Sequence, residues 1–292
     1  MQKRIDFRDQ ISKNKRNSVL LLIVVFSVLL FIGYAIWLFL RLDFFIFAAI
    51  WIAISLSYIL ISYHYSANIA LFSVGAKKAE RGEYRQIYHI VEGLSIASGL
   101  PMPGIYIMNS PQINAFASGR DTKHAVICAT TGALERLNKE ELEGVIAHEL
   151  SHIKNYDIRF ITLVAVMVGM ISIISEIFLR SLWFSGDRDT RGNAVIMIAG
   201  IVLAILAPIF VKLVQLSISR KREYLADATG VELTRYPKGL ANALKKIKND
   251  KPIKVPAAVA PLFLAEPSKR KFIDLFSTHP PIDERIRIIE SM

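Results

Sequence analysis

Two histidines four residues apart, with a glutamate beside the first, form the run His148-Glu149-Leu150-Ser151-His152. On a helix this spacing turns both imidazoles to one face, where they can supply two of the ligands of a tetrahedral zinc ion. Glu149 is then placed to take a proton from a water that the metal activates. That is the chemistry of metal-assisted peptide hydrolysis. A catalytic zinc takes a third protein ligand and keeps one position open. One arrangement puts Gly and His three and six residues beyond the second histidine. Asn155 and Ile158 stand there instead, so the ligand must come from elsewhere. Glu223 is the best candidate, in Arg222-Glu223-Tyr224-Leu225-Ala226-Asp227. Asp227 lies one helical turn further on the same face and could accept an N–H from a ligating histidine. The competing reading of Glu223 is an exposed helix residue paired with Arg220 or Lys221.

Several elements must position these groups. Asn138, followed three residues later by Glu141, has the form of a capping box opening the histidine helix. Residues 76–98 read as a helix that ends at Gly99, ahead of Pro101 and Pro103. Residues 104–108, 113–117 and 125–129 read as short strands separated by turn residues. Residues 237–248 and 282–291 read as helices, and the proline-rich stretch 249–278 as loop.

Four apolar runs surround these segments. Residues 19–40 and 44–62 carry no charge, residues 160–179 carry only Glu176, and residues 194–211 contain Pro208 and no charge. Each is long enough to cross roughly 30 Å of hydrocarbon as a helix. Lys3, Arg4, Arg8, Lys13, Lys15 and Arg16 precede the first run, while Arg41 alone lies between the first two. Lys212, Arg220, Lys221 and Arg222 follow the last. Basic flanks stay inside. The expectation is a multi-pass protein of the plasma or inner membrane with both termini cytoplasmic. Its parts are a cytoplasmic N-terminus with a first membrane hairpin (1–62), a first protease segment (63–159), a second hairpin (160–218) and a second protease segment (219–292). The fold class is a mainly α membrane protein, four transmembrane helices with a cytoplasmic zincin-like α+β metalloprotease domain carrying a small β-sheet.

Composition agrees. The chain is 53% hydrophobic with mean hydropathy +0.38, yet holds 36 Lys and Arg against 25 acids. A soluble nucleic-acid binder would be basic without being so apolar, and no Lys/Arg stripe interleaved with aromatics is present. The single cysteine, Cys128, rules out an intrachain disulfide and suits a reducing compartment.

Taken together, residues 148–152, residues 222–227, Ser277-Thr278-His279-Pro280-Pro281 and Asn114-Ala115-Phe116-Ala117 resemble the HtpX type of membrane protease. That type is related to the CAAX prenyl proteases and belongs to the gluzincins. The resemblance implies one zinc per chain, held by His148, His152 and Glu223. It implies that His279 donates to the oxyanion of the tetrahedral intermediate and that Arg285 pairs with an acid such as Asp227. It also implies that Asn114, Ala115 and Phe116 belong to an edge strand along which an extended substrate lies. The expected function is quality control of damaged or misfolded membrane proteins, with protein substrates and the lipid bilayer as partners. His64, His89 and His124 match no ligand spacing.

Two other readings compete. An intramembrane site-2-type protease carries this pentapeptide inside an apolar span and takes a ligand from an Asp-Gly motif. Here Lys139, Glu140, Glu141 and Glu143 share the histidine segment, and no Asp-Gly dipeptide occurs. A non-catalytic zinc-binding scaffold would be expected to have lost Glu149 or a ligand, and none is lost.

Overall fold

The structure, a computed structural model, describes residues 7–40, 42–164, 200, 220–256, 259, 262–264 and 280–292. Two long helices open it, α1 (Phe7–Leu40) and α2 (Phe44–Ser73). The Asp43 carboxylate starts α2 by accepting the Ile46 N–H at 3.0 Å. The two helices pair as a hairpin: the Trp51 indole N–H donates to the Leu29 carbonyl at 2.7 Å, and its ring lies where any side chain at Gly33 would stand. At 1.5 Å per residue α2 is about 45 Å long. It is apolar enough to cross a membrane, and its most hydrophobic window is only 6% buried. Phe45, Ile46, Ile54, Leu60 and Ile61 stand exposed along it. An apolar surface of that extent matches lipid, not water. Among the described residues no second helix meets the same length and hydropathy, although α1 carries a shorter apolar stretch, Arg16–Phe31. The apolar runs at 160–179 and 194–211 fall, except for residues 160–164 and 200, outside the described residues.

The second apolar run ends at residue 62, but α2 does not. It continues to Ser73, and its last turns put Ala70 and Leu71 against Met108, Phe116 and Cys128 of the sheet. One helix thus belongs both to the hairpin and to the domain beyond it.

The sheet has four strands, β1 (Lys77–Lys78), β2 (Gly104–Met108), β3 (Ala115–Gly119) and β4 (Ala125–Thr130), in the order β1-β2-β4-β3. β2 and β4 run parallel, and both outer pairs are antiparallel. The strand expected at 113–117 begins two residues late. The Ile113 N–H is taken by the Asp250 carboxylate at 2.6 Å and the Asn114 N–H by the Thr130 hydroxyl at 3.0 Å, so pairing with β4 starts at Ala115. The helix expected at 76–98 starts only at Arg85. Lys77 and Lys78 instead pair with the open edge of β2, and a turn at 81–83 precedes α3 (Arg85–Ser98). Its end is as expected: Gly99 takes the left-handed conformation at φ 70°.

The remaining helices are α4 (Thr131–Arg136), α5 (Lys139–Lys154), α6 (Arg220–Thr234), α7 (Pro237–Lys248) and α8 (Ile282–Glu290). The capping box of α5 forms in full: Asn138 accepts the Glu141 N–H at 2.8 Å, and Glu141 accepts the Asn138 N–H at 2.9 Å. Lys246 of α7 pairs with Glu141 at 2.6 Å. α5 is buried along most of its length, with Leu142, Val145, Ile146, Leu150 and Ile153 in one core with α3, α7 and the sheet. A short turn follows, in which Tyr156 takes φ 58°, and residues 157–164 are again helical.

Candidate active site

His148 and His152 are buried on α5, with their Nε2 atoms 3.2 Å apart. Glu223 reaches in from α6, its Oε2 3.7 Å from Nε2 of His148 and its Oε1 3.7 Å from Nε2 of His152. The residues that bring α6 this close follow one face: Glu223, Asp227 and Gly230 at i, i+4 and i+7. A Cβ on Gly230 would lie 3.1 Å from the His148 backbone nitrogen, so any larger residue there would press the two helices apart.

The three side chains fit a metal. Their ligand atoms lie within 4.8 Å of one another. Ligands about 2.0–2.1 Å from an ion at tetrahedral angles stand roughly 3.3 Å apart, close to the separations seen here. The outer nitrogens support the same reading. Nδ1 of His148 lies 2.9 Å from Asp227, and Nδ1 of His152 lies 3.1 Å from Asp157. An ionised carboxylate only accepts, so each Nδ1 carries the proton and each Nε2 can face the centre with its lone pair. Burial opposes charge on His152, but Asp157, Glu223 and Glu149 outweigh it and raise its pKa to about 9, so without a metal Nε2 would hold a proton that a bound metal cation replaces. The surroundings favour a cation.

Asp227 and Arg285 meet behind His148. The Arg285 guanidinium donates to both Asp227 oxygens, at 2.9 and 2.7 Å, and its side chain has no solvent exposure. Burial works against the charged form of Asp227. Arg285 and the His148 N–H overcome it and hold that carboxyl well below the usual range. Asp157 is the group that spacing did not reveal. On an unbroken helix a residue five beyond His152 would lie roughly 140° around the axis. The left-handed Tyr156 breaks the helix and folds the carboxylate back.

Glu149 is 2% exposed and faces β3, where it accepts the Ala117 N–H. Burial pushes its carboxyl above the ordinary range; the two histidines and that N–H pull the other way, and Glu223 adds to the rise. A carboxylate tuned upward suits a group that must both take and return a proton.

Asn114 directly precedes β3, the sheet's edge strand, and Ala115 and Phe116 open it; all three are buried. The Ala115 carbonyl already accepts the Leu264 N–H at 3.0 Å, and the Phe116 ring packs on Phe263 with centroids 4.9 Å apart. His279 lies outside the described residues. His64, His89 and His124 are exposed and take no part in the site.

Residues 82–292 match the profile of Peptidase family M48. The chain belongs to that family. Proteins named Protease HtpX homolog from Dictyoglomus turgidum and Caldanaerobacter subterraneus are 44% and 45% identical to it. The alignments span 98% and 93% of this chain and 95% and 93% of theirs. A relative of the same name from Tropheryma whipplei is 43% identical, with 97% of each chain covered. Among solved structures, the crystal structure of S. mikatae Ste24p aligns with a TM-score of 0.46 at 18% identity, covering 96% of this chain and 66% of that one. The chain is a membrane metalloprotease of the HtpX type, mainly helical with a small sheet. It acts on protein substrates, and its family requires a metal.

Proposed function

We propose that this metalloprotease is a zinc endopeptidase that cuts peptide bonds on the cytoplasmic side of the membrane. The observation that carries the reading is the convergence of His148, His152 and Glu223, with Glu149 between them and the β3 edge. A His2Glu donor set suits zinc, which would polarise the scissile carbonyl and lower the pKa of an attacking water toward about 7. Glu149 takes the proton of that water and returns it to the leaving amine. Asp227 and Asp157 keep the two imidazoles in the tautomer that leaves Nε2 free. The β3 edge, whose Ala117 N–H holds Glu149, aligns an extended substrate by backbone pairing. His279 stabilises the oxyanion, as in the HtpX type that the chain resembles.

The expected segments at 1–62, 63–159, 160–218 and 219–292, with four membrane helices and both termini cytoplasmic, follow from the apolar runs and their basic flanks. A role in quality control of membrane proteins comes from the resemblance. The test of function is cleavage of an unfolded protein by detergent-purified enzyme, lost on chelation and regained with zinc. Cleavage that survives chelation would remove the metal from the reaction. Topology is tested by a cysteine at Glu83. Cys128 is buried and burial pushes its thiol up, so it stays silent. Labelling from the cytoplasmic side alone is expected, and labelling from outside would invert the topology.

A further inference from the structure

Asn14 has no part in the hydrolysis described above, yet it is 2% exposed and points at the site from a distant helix. On α1, Asn14, Ser18, Leu21, Val25 and Leu29 follow one another at helical spacing and form a single buried stripe. The three apolar members pack on Phe160, Leu163 and Val164 of the helix at 157–164. The polar end of the stripe lies beside the first residue of that helix. The Asn14 side-chain amide donates to Oδ1 of Asp157 at 2.6 Å and to the Asn155 carbonyl at 3.0 Å. The Asn14 carbonyl accepts the Ser18 hydroxyl at 2.9 Å. The other oxygen of Asp157 holds Nδ1 of His152 at 3.1 Å.

We infer that Asn14 is a positioning residue for metal binding: it fixes the Asp157 carboxylate, which sets the tautomer and ring plane of His152. Asp157 has no solvent exposure, so an oxygen that lost Asn14 could not turn to water instead. The carboxylate would swing, and the imidazole with it. The inference rests on His152 being a metal ligand.

The alternative role is purely structural, with Asn14 satisfying the end of α5 and anchoring α1. Leu21→Ala loosens the same helix contact without touching Asp157, and so separates the two. The measurements are zinc affinity of the full-length protein in detergent, by competition with a chelator, and the thermal midpoint of the zinc-free form. Asn14→Ala is expected to weaken zinc binding about 10-fold or more, the scale of outer-shell partners. Leu21→Ala is expected to lower the midpoint and leave zinc affinity unchanged. In an Asp157→Asn background, Asn14→Ala should weaken zinc no further. Should Asn14→Ala not fold, Asn14→Ser takes its place, since its hydroxyl is too short to reach Asp157. Wild-type affinity in the Asn14 variant, or a loss no larger than that of Leu21→Ala, overturns the inference. His152→Ala serves as reference: if it keeps full affinity, the site assignment fails, whereas its loss beside an unaffected Asn14 variant sinks the Asn14 link alone.

Discussion

His148 and His152 sit one turn apart on α5, and the two are backed by unlike neighbourhoods. Behind His148 stands an ion pair: Asp227 from α6, held through both oxygens by Arg285 from α8. Behind His152 stands Asp157, held by a neutral amide from α1. The requirement is the same on both sides, an Nδ1 proton fixed so that Nε2 is left for the metal. What differs is how a buried negative charge is tolerated. On the first side a guanidinium neutralises the carboxylate directly. On the second, the hydrogen bonds of His152 and Asn14 take one oxygen each. The His148 side therefore carries more of the fold's electrostatic stability, and the His152 side depends more on one hydrogen bond from a distant helix.

That contrast can be broken experimentally, and the largest effect is expected on the charged side. Arg285→Ala would leave Asp227 buried without its cation, at a cost of about 3–5 kcal/mol of folding stability. Chemical unfolding in detergent measures it; a loss under about 1 kcal/mol would mean that the pair is not holding the fold. Next come Asp227→Asn and Asp157→Asn, each expected to weaken zinc binding about 10- to 100-fold. Because they act on different histidines, the double variant should bind more weakly than either single one. A double variant no worse than the singles would show one shared support, not two. The smallest effect belongs to Ser18→Ala, which removes only the hydroxyl bound to the Asn14 carbonyl. About 0.5–1.5 kcal/mol of stability should go, with zinc affinity intact.

The two sides were also unequally legible in the sequence. Most of the His148 side follows from local spacing: a capping box, two histidines four apart, and Glu223 and Asp227 one turn apart on a second helix, while Arg285 enters only through the family resemblance. Only the meeting of those helices needed the fold, and Gly230 against the His148 backbone is the residue that permits it. The His152 side depends on a break in regularity. A left-handed tyrosine carries no strong sequence signal, so Asp157 reads as the outer face of a continuous helix. Asn14 is separated from Asp157 by 143 positions, and one asparagine at the edge of an apolar stripe does not announce its partner. In the sheet, periodicity gave β2 and β4 nearly to the residue. It missed β1, whose two lysines are in the sheet because β2 offered an open edge and not because of any strand propensity.

The central claim is that His148, His152 and Glu223 hold the metal while Glu149 moves the proton. The measurement that bears on it most directly is zinc content and proteolytic rate of wild type beside Glu149→Gln, purified alike in detergent. The account predicts one zinc per chain in both proteins, with the rate of the variant lower by about 10²- to 10⁴-fold. Zinc bound equally by both, with equal cleavage, would contradict the role of Glu149; absence of zinc from an active wild type would contradict the site itself.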